Sequence, residues 1–247
     1  GYYPGAETMH LLLHFDGEGR ILGAQGVGRE GVDKRIDVIA TAARGGLRVD
    51  DLVDLDLSYA PPFGAAKDPV MMLGMIADNV LSGRLTQHDP VAPLDPETTL
   101  VLDVRNPGEW DRGHIEGAML VPQPDVAASI EEIRRAAAGR PIVVHCASGF
   151  RSYLANRTLA GAGIDSANVS GGFTTLAIAQ PQLVAHPQTS PASATTSGTT
   201  VSSTNAGRNA NPSGSTIATP SLAAASSISC SGVARRSAAA ARNAADG

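Results

Sequence analysis

The 247-residue sequence predicts a mixed helix-and-strand chain in two folded units followed by a tail, and three observations carry that reading. Residues 1–85 read as an antiparallel hairpin followed by two helices, an α+β arrangement. Further on, a short buried strand runs straight into a helix, with a lone cysteine at the junction. From Pro181 onward large apolar residues almost vanish. The length accommodates two domains of ordinary size.

In the first unit, MHLLLHF and ILGAQGV flank the turn Asp16-Gly17-Glu18-Gly19, which predicts a hairpin. A helix follows from Asp33 as N-cap to Arg44, burying Ile36, Ile39, Ala40 and Ala43, and Gly45-Gly46 ends it. YAPPFG is irregular, because two prolines remove two backbone donors. Asp68-Pro69 starts a second helix that runs to Leu81, before Gly83. Gly26, Gly28 and Gly31 satisfy G-x-G-x-x-G, with Asp50 and Asp51 about twenty residues on. The context argues against a dinucleotide site. The preceding strand belongs to a tight antiparallel hairpin, whereas that fingerprint needs a parallel β-α-β unit. His10 and His14 alternate with leucines and have no metal-ligand partners in the pattern, so no metal site is expected.

In the second unit, Asp125 to Ala138 reads as an amphipathic helix on Val126, Ile130, Ile133 and Ala137. Pro141 to His145 is a short β-branched stretch that reads as a buried strand, and Ser148 to Ala162 carries apolar residues at helical spacing. Cys146 therefore sits at a strand-to-helix turn. Backbone amides converge there, the positive end of a helix dipole lies behind it, and Arg151 adds a full charge. All three effects favour the thiolate, the reactive form. The functional reading is an anionic sulfur nucleophile, Cys146 with Arg151, in a cradle formed by Ala147, Ser148, Gly149 and Phe150. The plainer reading is an inert buried cysteine, which needs no such placement.

Composition narrows the context. The net charge is −5, but beyond Pro181 four arginines and one aspartate give +3, so the body carries −8. That balance argues against nucleic acid as a partner of the folded part. Cys146 and Cys230 make no disulfide framework and fit a reducing, cytoplasmic compartment. No apolar run approaches membrane-spanning length and no signal peptide is visible, so no membrane partner is expected. The chain begins with Gly1 in the middle of a motif, which suggests a fragment or a processed chain. Residues 181–247 are expected to be a disordered tail, since Ser, Thr, Ala, Pro and Gly cannot bury enough surface to offset their ordering entropy. Cys230 opens CSGVARRS, a faint echo of a phosphatase loop, with no strand before it.

The span Cys146 to Arg151 contains six residues and resembles the active-site loop of rhodanese sulfurtransferases. LDVRNPGEWDRGHIEGAMLVP (Leu102 to Pro122) resembles that family's opening motif, and VSGGF (Val169 to Phe173) its closing one. The resemblance implies an α/β domain over residues 98–180, a parallel sheet with helices on both faces, preceded by a linker at 86–97. It implies a cycle in which Cys146 takes sulfane sulfur from thiosulfate or a persulfide and passes it to a thiol acceptor. Asp103 and Arg105 match the family's D-x-R and are expected to brace the loop. His114 and His145 are expected to be structural. Residues 1–82 resemble the C-terminal dimerisation domain of flavin-dependent pyridine nucleotide-disulfide reductases, closest to the coenzyme A-disulfide reductases. That implies a homodimer through residues 1–85, with Tyr59 and Tyr3 lent to the partner's active site. FAD and NAD(P)H are implied for full-length relatives, while this chain is expected to bind no cofactor. The competing reading is a non-catalytic persulfide-sensing or dimerisation module that partners a flavoprotein.

Overall fold

The computed structural model describes residues 4–185. Tyr3, Cys230 and the expected tail beyond Ala185 lie outside that range. Met9–Phe15 (β1) and Ile21–Gly28 (β2) form the expected antiparallel hairpin, with Leu13 opposite Ala24. Alternation along β1 sends Leu11, Leu13 and Phe15 into the core and leaves His10 exposed. The turn is held by Asp16, whose carboxylate accepts from the amides of Glu18 and Arg20.

Val32–Arg44 (α1) packs on this hairpin. Its N-cap is Gly31 at φ +71°, not Asp33, because a left-handed residue makes the reversal and glycine has no Cβ to oppose it. The buried face is Arg35, Ile39 and Ala42, and Ala40 is exposed, contrary to the spacing argument. Arg35 is drawn inward by Asp68, with Nη2 to Oδ2 at 2.8 Å and both side chains 6% exposed. It occupies a place that spacing alone gives to an apolar residue. Asp68 also caps Pro69–Leu81 (α2), accepting from the Val70 amide at 3.0 Å. One carboxylate thus starts one helix and anchors another. Gly26 and Gly28 serve packing, since an added Cβ would lie 2.5 Å and 2.8 Å from Val32. With β2 antiparallel to β1 and these glycines filled by a side chain of α1, the stretch does not fit a dinucleotide.

After α2 the chain enters a five-stranded sheet. Thr86–His88 (β3) is its edge, pairing parallel with Ala167–Val169 (β8). The segment expected to be a linker therefore starts with a strand, too short and too polar to show a period-2 pattern. Leu100–Asp103 (β4) leads into the single-turn helix Pro107–Trp110 (α3), and then into His114–Ile115 (β5) and Met119–Leu120 (β6). Ile130–Ala137 (α4) precedes Ile142–His145 (β7), which runs into Phe150–Gly161 (α5). Gly172–Ala179 (α6) follows β8. Strand order is β3-β8-β7-β4-β6, with every neighbouring pair parallel.

The sheet is buried on both faces, which explains the near-continuous apolar runs of β4 and β7. Leu100, Leu102, Ile142, Val144 and Cys146 share one core with Ile133 of α4 and Leu159 of α5. Val101 and Val143 belong to a second core with Leu176 of α6. The helix expected over 125–138 is divided, with a 3-10 turn at Gln123–Asp125 before α4, although Val126, Ile133 and Ala137 are buried as the pattern requires. Residues 181–185, assigned to the tail on composition, are structured. Val184–Ala185 (β9) pairs antiparallel with β5, and Leu183 and Val184 pack against the second core. Among the described residues no helix is long and apolar enough to cross a membrane, and no group of His, Cys, Asp and Glu could hold a metal ion.

Candidate active site

Strand parity decides what Cys146 can face. It continues the Ile142–Val144 face of β7 toward α5, while His145 points to the opposite face beside Phe173. His145 is fully buried, and burial pushes its pKa below the ordinary histidine range, partly offset by Asp103. Its Nδ1 lies 3.8 Å from Asp103 Oδ1, a contact of a neutral ring rather than an ion pair. It is therefore not positioned as a base for Cys146.

Around the sulfur, the Gly149 amide donates to Cys146 Sγ at 3.1 Å and the Ser152 hydroxyl approaches Sγ at 3.4 Å. Gly149 takes φ +111°, which turns its amide inward at the start of α5. Ala147, Ser148 and Gly149 are half-buried, and Phe150 is 62% exposed at the rim. Three of the loop carbonyls find donors outside the loop. Phe173 N–H donates to Cys146 O at 2.7 Å, Thr174 N–H and Oγ1–H donate to Ala147 O at 3.1 Å and 3.0 Å, and Tyr153 N–H donates to Gly149 O at 3.0 Å. With these three carbonyls held by α6 and α5, the Gly149 amide is left to point at the sulfur. Gly172 permits this approach. At φ +61°, an added Cβ would lie 2.6 Å from Cys146 O and from Ser148 N.

Arg151 lies in the first turn of α5, and its fork is engaged. Nη1 and Nη2 each meet a Glu109 oxygen at 2.7 Å. Hydrogen bonding from Arg151 holds the Glu109 carboxyl down to about 2, and the same contact raises Arg151 further above its already high value. Both terminal nitrogens of Arg151 are therefore occupied by Glu109. Glu109 was missed from sequence. The signal available was a capping box, Asn106 to Glu109 opening α3, where Asn106 N–H donates to Glu109 Oε2 at 3.1 Å. Ser152 and Gly172 were also missed, because their approach to the cysteine loop follows from the packing of α5 and α6 and not from a local pattern.

Asp103 and Arg105 form a buried ion pair, Nη2 to Oδ2 at 2.7 Å, with side chains 0% and 5% exposed. Arg105 reaches further, donating to the Gly113 carbonyl at 2.8 Å and lying 3.8 Å above the Phe173 ring. It thereby links the strand-end loop to the helix that holds the cysteine loop. Tyr59 is 56% exposed on the first unit and lines a cavity of about 620 Å³ with Phe63 and Arg35.

A five-stranded parallel sheet with its cysteine loop at a strand-to-helix turn defines the class, and residues 86–178 match the rhodanese-like domain family. The chain is also similar to a second group of proteins. Coenzyme A disulfide reductase of Staphylococcus aureus (strain bovine RF122 / ET3-1) is 47% identical over 74 residues, covering 30% of this chain and 17% of that protein. The solved structure of reduced Bacillus anthracis CoADR-RHD is 39% identical with a TM-score of 0.71, covering 75% of this chain and 33% of that one. The NAD-dependent persulfide reductase from A. fulgidus is 36% identical with a TM-score of 0.62, covering 70% and 31%. The chain thus spans about a third of the length of these solved relatives and a smaller share of the curated one.

Proposed function

We propose that the chain moves sulfane sulfur through a persulfide on Cys146. The observation that carries this reading is the Sγ atom that accepts from the Gly149 amide at 3.1 Å, with the Ser152 hydroxyl 3.4 Å away and shared with Gly149 O. The Cys146 thiolate attacks the outer sulfur of thiosulfate or of a persulfide. The S–S bond of the donor breaks, and sulfite or a thiolate leaves with the electron pair. An acceptor thiolate then attacks the outer sulfur of Cys146–S–S⁻, takes it away as a new persulfide and restores the Cys146 thiolate. The loop amides, with the remaining N–H groups of Arg151, stabilise the charge at each step.

Residues 1–85 serve in this reading as a dimerisation unit, and the sulfur-transfer unit starts at Thr86. Leu22, Val27, Tyr59 and Phe63 are 56–75% exposed, an apolar surface that a second copy would cover. Tyr59 would then face the partner's site. The names of the relatives favour a reductase, served by FAD and NAD(P)H on other residues, as the consumer of the transferred sulfur in a reducing, cytoplasmic setting.

The test is mass spectrometry of the chain after incubation with thiosulfate or glutathione persulfide. One added sulfur is expected on the Cys146 peptide, none in Cys146→Ala, and discharge on adding a thiol. A wild-type chain that takes up no sulfur, or an alanine variant that does, defeats the reading. An adduct that no thiol discharges favours the sensing alternative.

A further inference from the structure

Resting on the sulfur-transfer reading, the charge balance around Cys146 bears on which donors the site accepts. Two guanidinium groups are tied to the loop and its supports, and each is already matched by a carboxylate. Arg105 is held by Asp103 at 2.7 Å, and Arg151 by both oxygens of Glu109 at 2.7 Å. The loop residues Ala147, Ser148, Gly149 and Phe150 carry no charge. Beneath them His145 is buried, and burial favours its neutral form. A donor entering the cradle therefore meets the Gly149 amide, a hydroxyl and the remaining N–H groups of Arg151, which also contacts Cys146, with no positive charge from these groups that a carboxylate does not already offset. The Arg151–Glu109 pair keeps 31% and 23% side-chain exposure, so it lies where an incoming anion can feel it.

We propose that Glu109 sets the donor's charge: by neutralising Arg151 it tunes the cradle to donors with one negative charge and against the dianion thiosulfate. A fixed carboxylate beside the binding path repels a dianion about twice as strongly as a monoanion, so its removal favours thiosulfate by about tenfold at moderate ionic strength. Glu109 is thus a specificity-determining residue that acts through Arg151 and touches no reacting atom.

The experiment uses the full chain and two donors that deliver the same sulfane sulfur and differ by one charge, thiosulfate and methanethiosulfonate. In both, the Cys146 thiolate displaces an oxidised-sulfur leaving group, sulfite or methanesulfinate, which departs with the electron pair. The readout is kcat/KM of each donor for the wild type, Glu109→Gln and Glu109→Asp. The glutamine variant is expected to raise the thiosulfate-to-thiosulfonate ratio about tenfold, and the aspartate variant to leave that ratio unchanged even if both rates fall. Equal changes for the two donors in Glu109→Gln would make Glu109 a strut for Arg151 and overturn the proposal. So would a ratio shift of the same size in Glu109→Asp. If Glu109→Gln does not fold, the wild type decides by salt. A neutralised site predicts equal, shallow ionic-strength slopes for both donors, and a steeper fall for thiosulfate overturns the proposal. A wild type that forms a Cys146 persulfide with neither donor instead removes the sulfur-transfer reading, and this inference with it.

Discussion

Replacing Gly172 with alanine tests the idea that α6 shapes the cysteine loop by close approach. Two costs can be worked from the structure. At φ +61° an L-residue with a Cβ is disfavoured by roughly 1–2 kcal/mol. The new methyl would also lie 2.6 Å from Cys146 O and Ser148 N and 2.7 Å from Ala147 C. All three are backbone atoms that cannot swing aside, so overpacking adds roughly 1–3 kcal/mol. Gly163 supplies the control, with φ +70° and nothing within 4 Å of its added Cβ. Gly163→Ala should therefore show the conformational cost alone. Thermal unfolding of both variants and persulfide formation with a sulfur donor are the measurements. Gly172→Ala should lower the midpoint by several degrees more than Gly163→Ala, at about 2–4 °C per kcal/mol for a chain of this size. It should also slow sulfur uptake at Cys146, whereas Gly163→Ala should leave uptake unchanged. Equal stability losses with unaltered uptake in both variants would show that the loop does not depend on this contact.

Two further outcomes are expected. Glu109 falls from an ordinary 4.5 to about 2, which at 1.36 kcal/mol per pH unit would amount to about 3.4 kcal/mol; water screens this partly exposed pair, leaving about 1–2 kcal/mol. Because the folded value is the lower one, this stabilisation is complete above pH 4.5 and disappears as pH falls toward 2. The wild-type unfolding midpoint should drop more steeply than that of Glu109→Gln across this window, and parallel curves would contradict the pairing. Asp68→Ala should cost about 3–5 kcal/mol by leaving Arg35 buried without a counter-charge and uncapping α2, which denaturant titration would measure. A loss below about 1 kcal/mol would mean that water takes the place of the carboxylate.

What the sequence revealed and what it hid follow from interaction range. The hairpin, the Asp68 cap and the β7-to-α5 turn were legible because each is decided by residues a few positions apart. Strand β3 was not, since three polar residues become a strand only by pairing with β8. The buried stripe of α1 shifted because Arg35 answers to Asp68, 33 residues away. The site divides in the same way. Cys146 and Arg151 stand five positions apart across one strand-to-helix junction and could be read together, while Glu109 stands 42 residues from Arg151. The capping box that could have drawn attention to Glu109 concerns α3 and says nothing of the loop.

Alternation along β7 makes the identity of the nucleophile a matter of counting. Ile142 and Val144 lead to Cys146 on one face, and Val143 leads to His145 on the other. Deleting or inserting one residue between Pro141 and Cys146 would exchange these faces, carrying the imidazole to the mouth of the cradle and the sulfur down beside Phe173. A lengthening by two would restore the order but push the loop beyond the reach of α6. The chemistry of this region therefore tolerates changes of side chain within β7 far better than any change in its length.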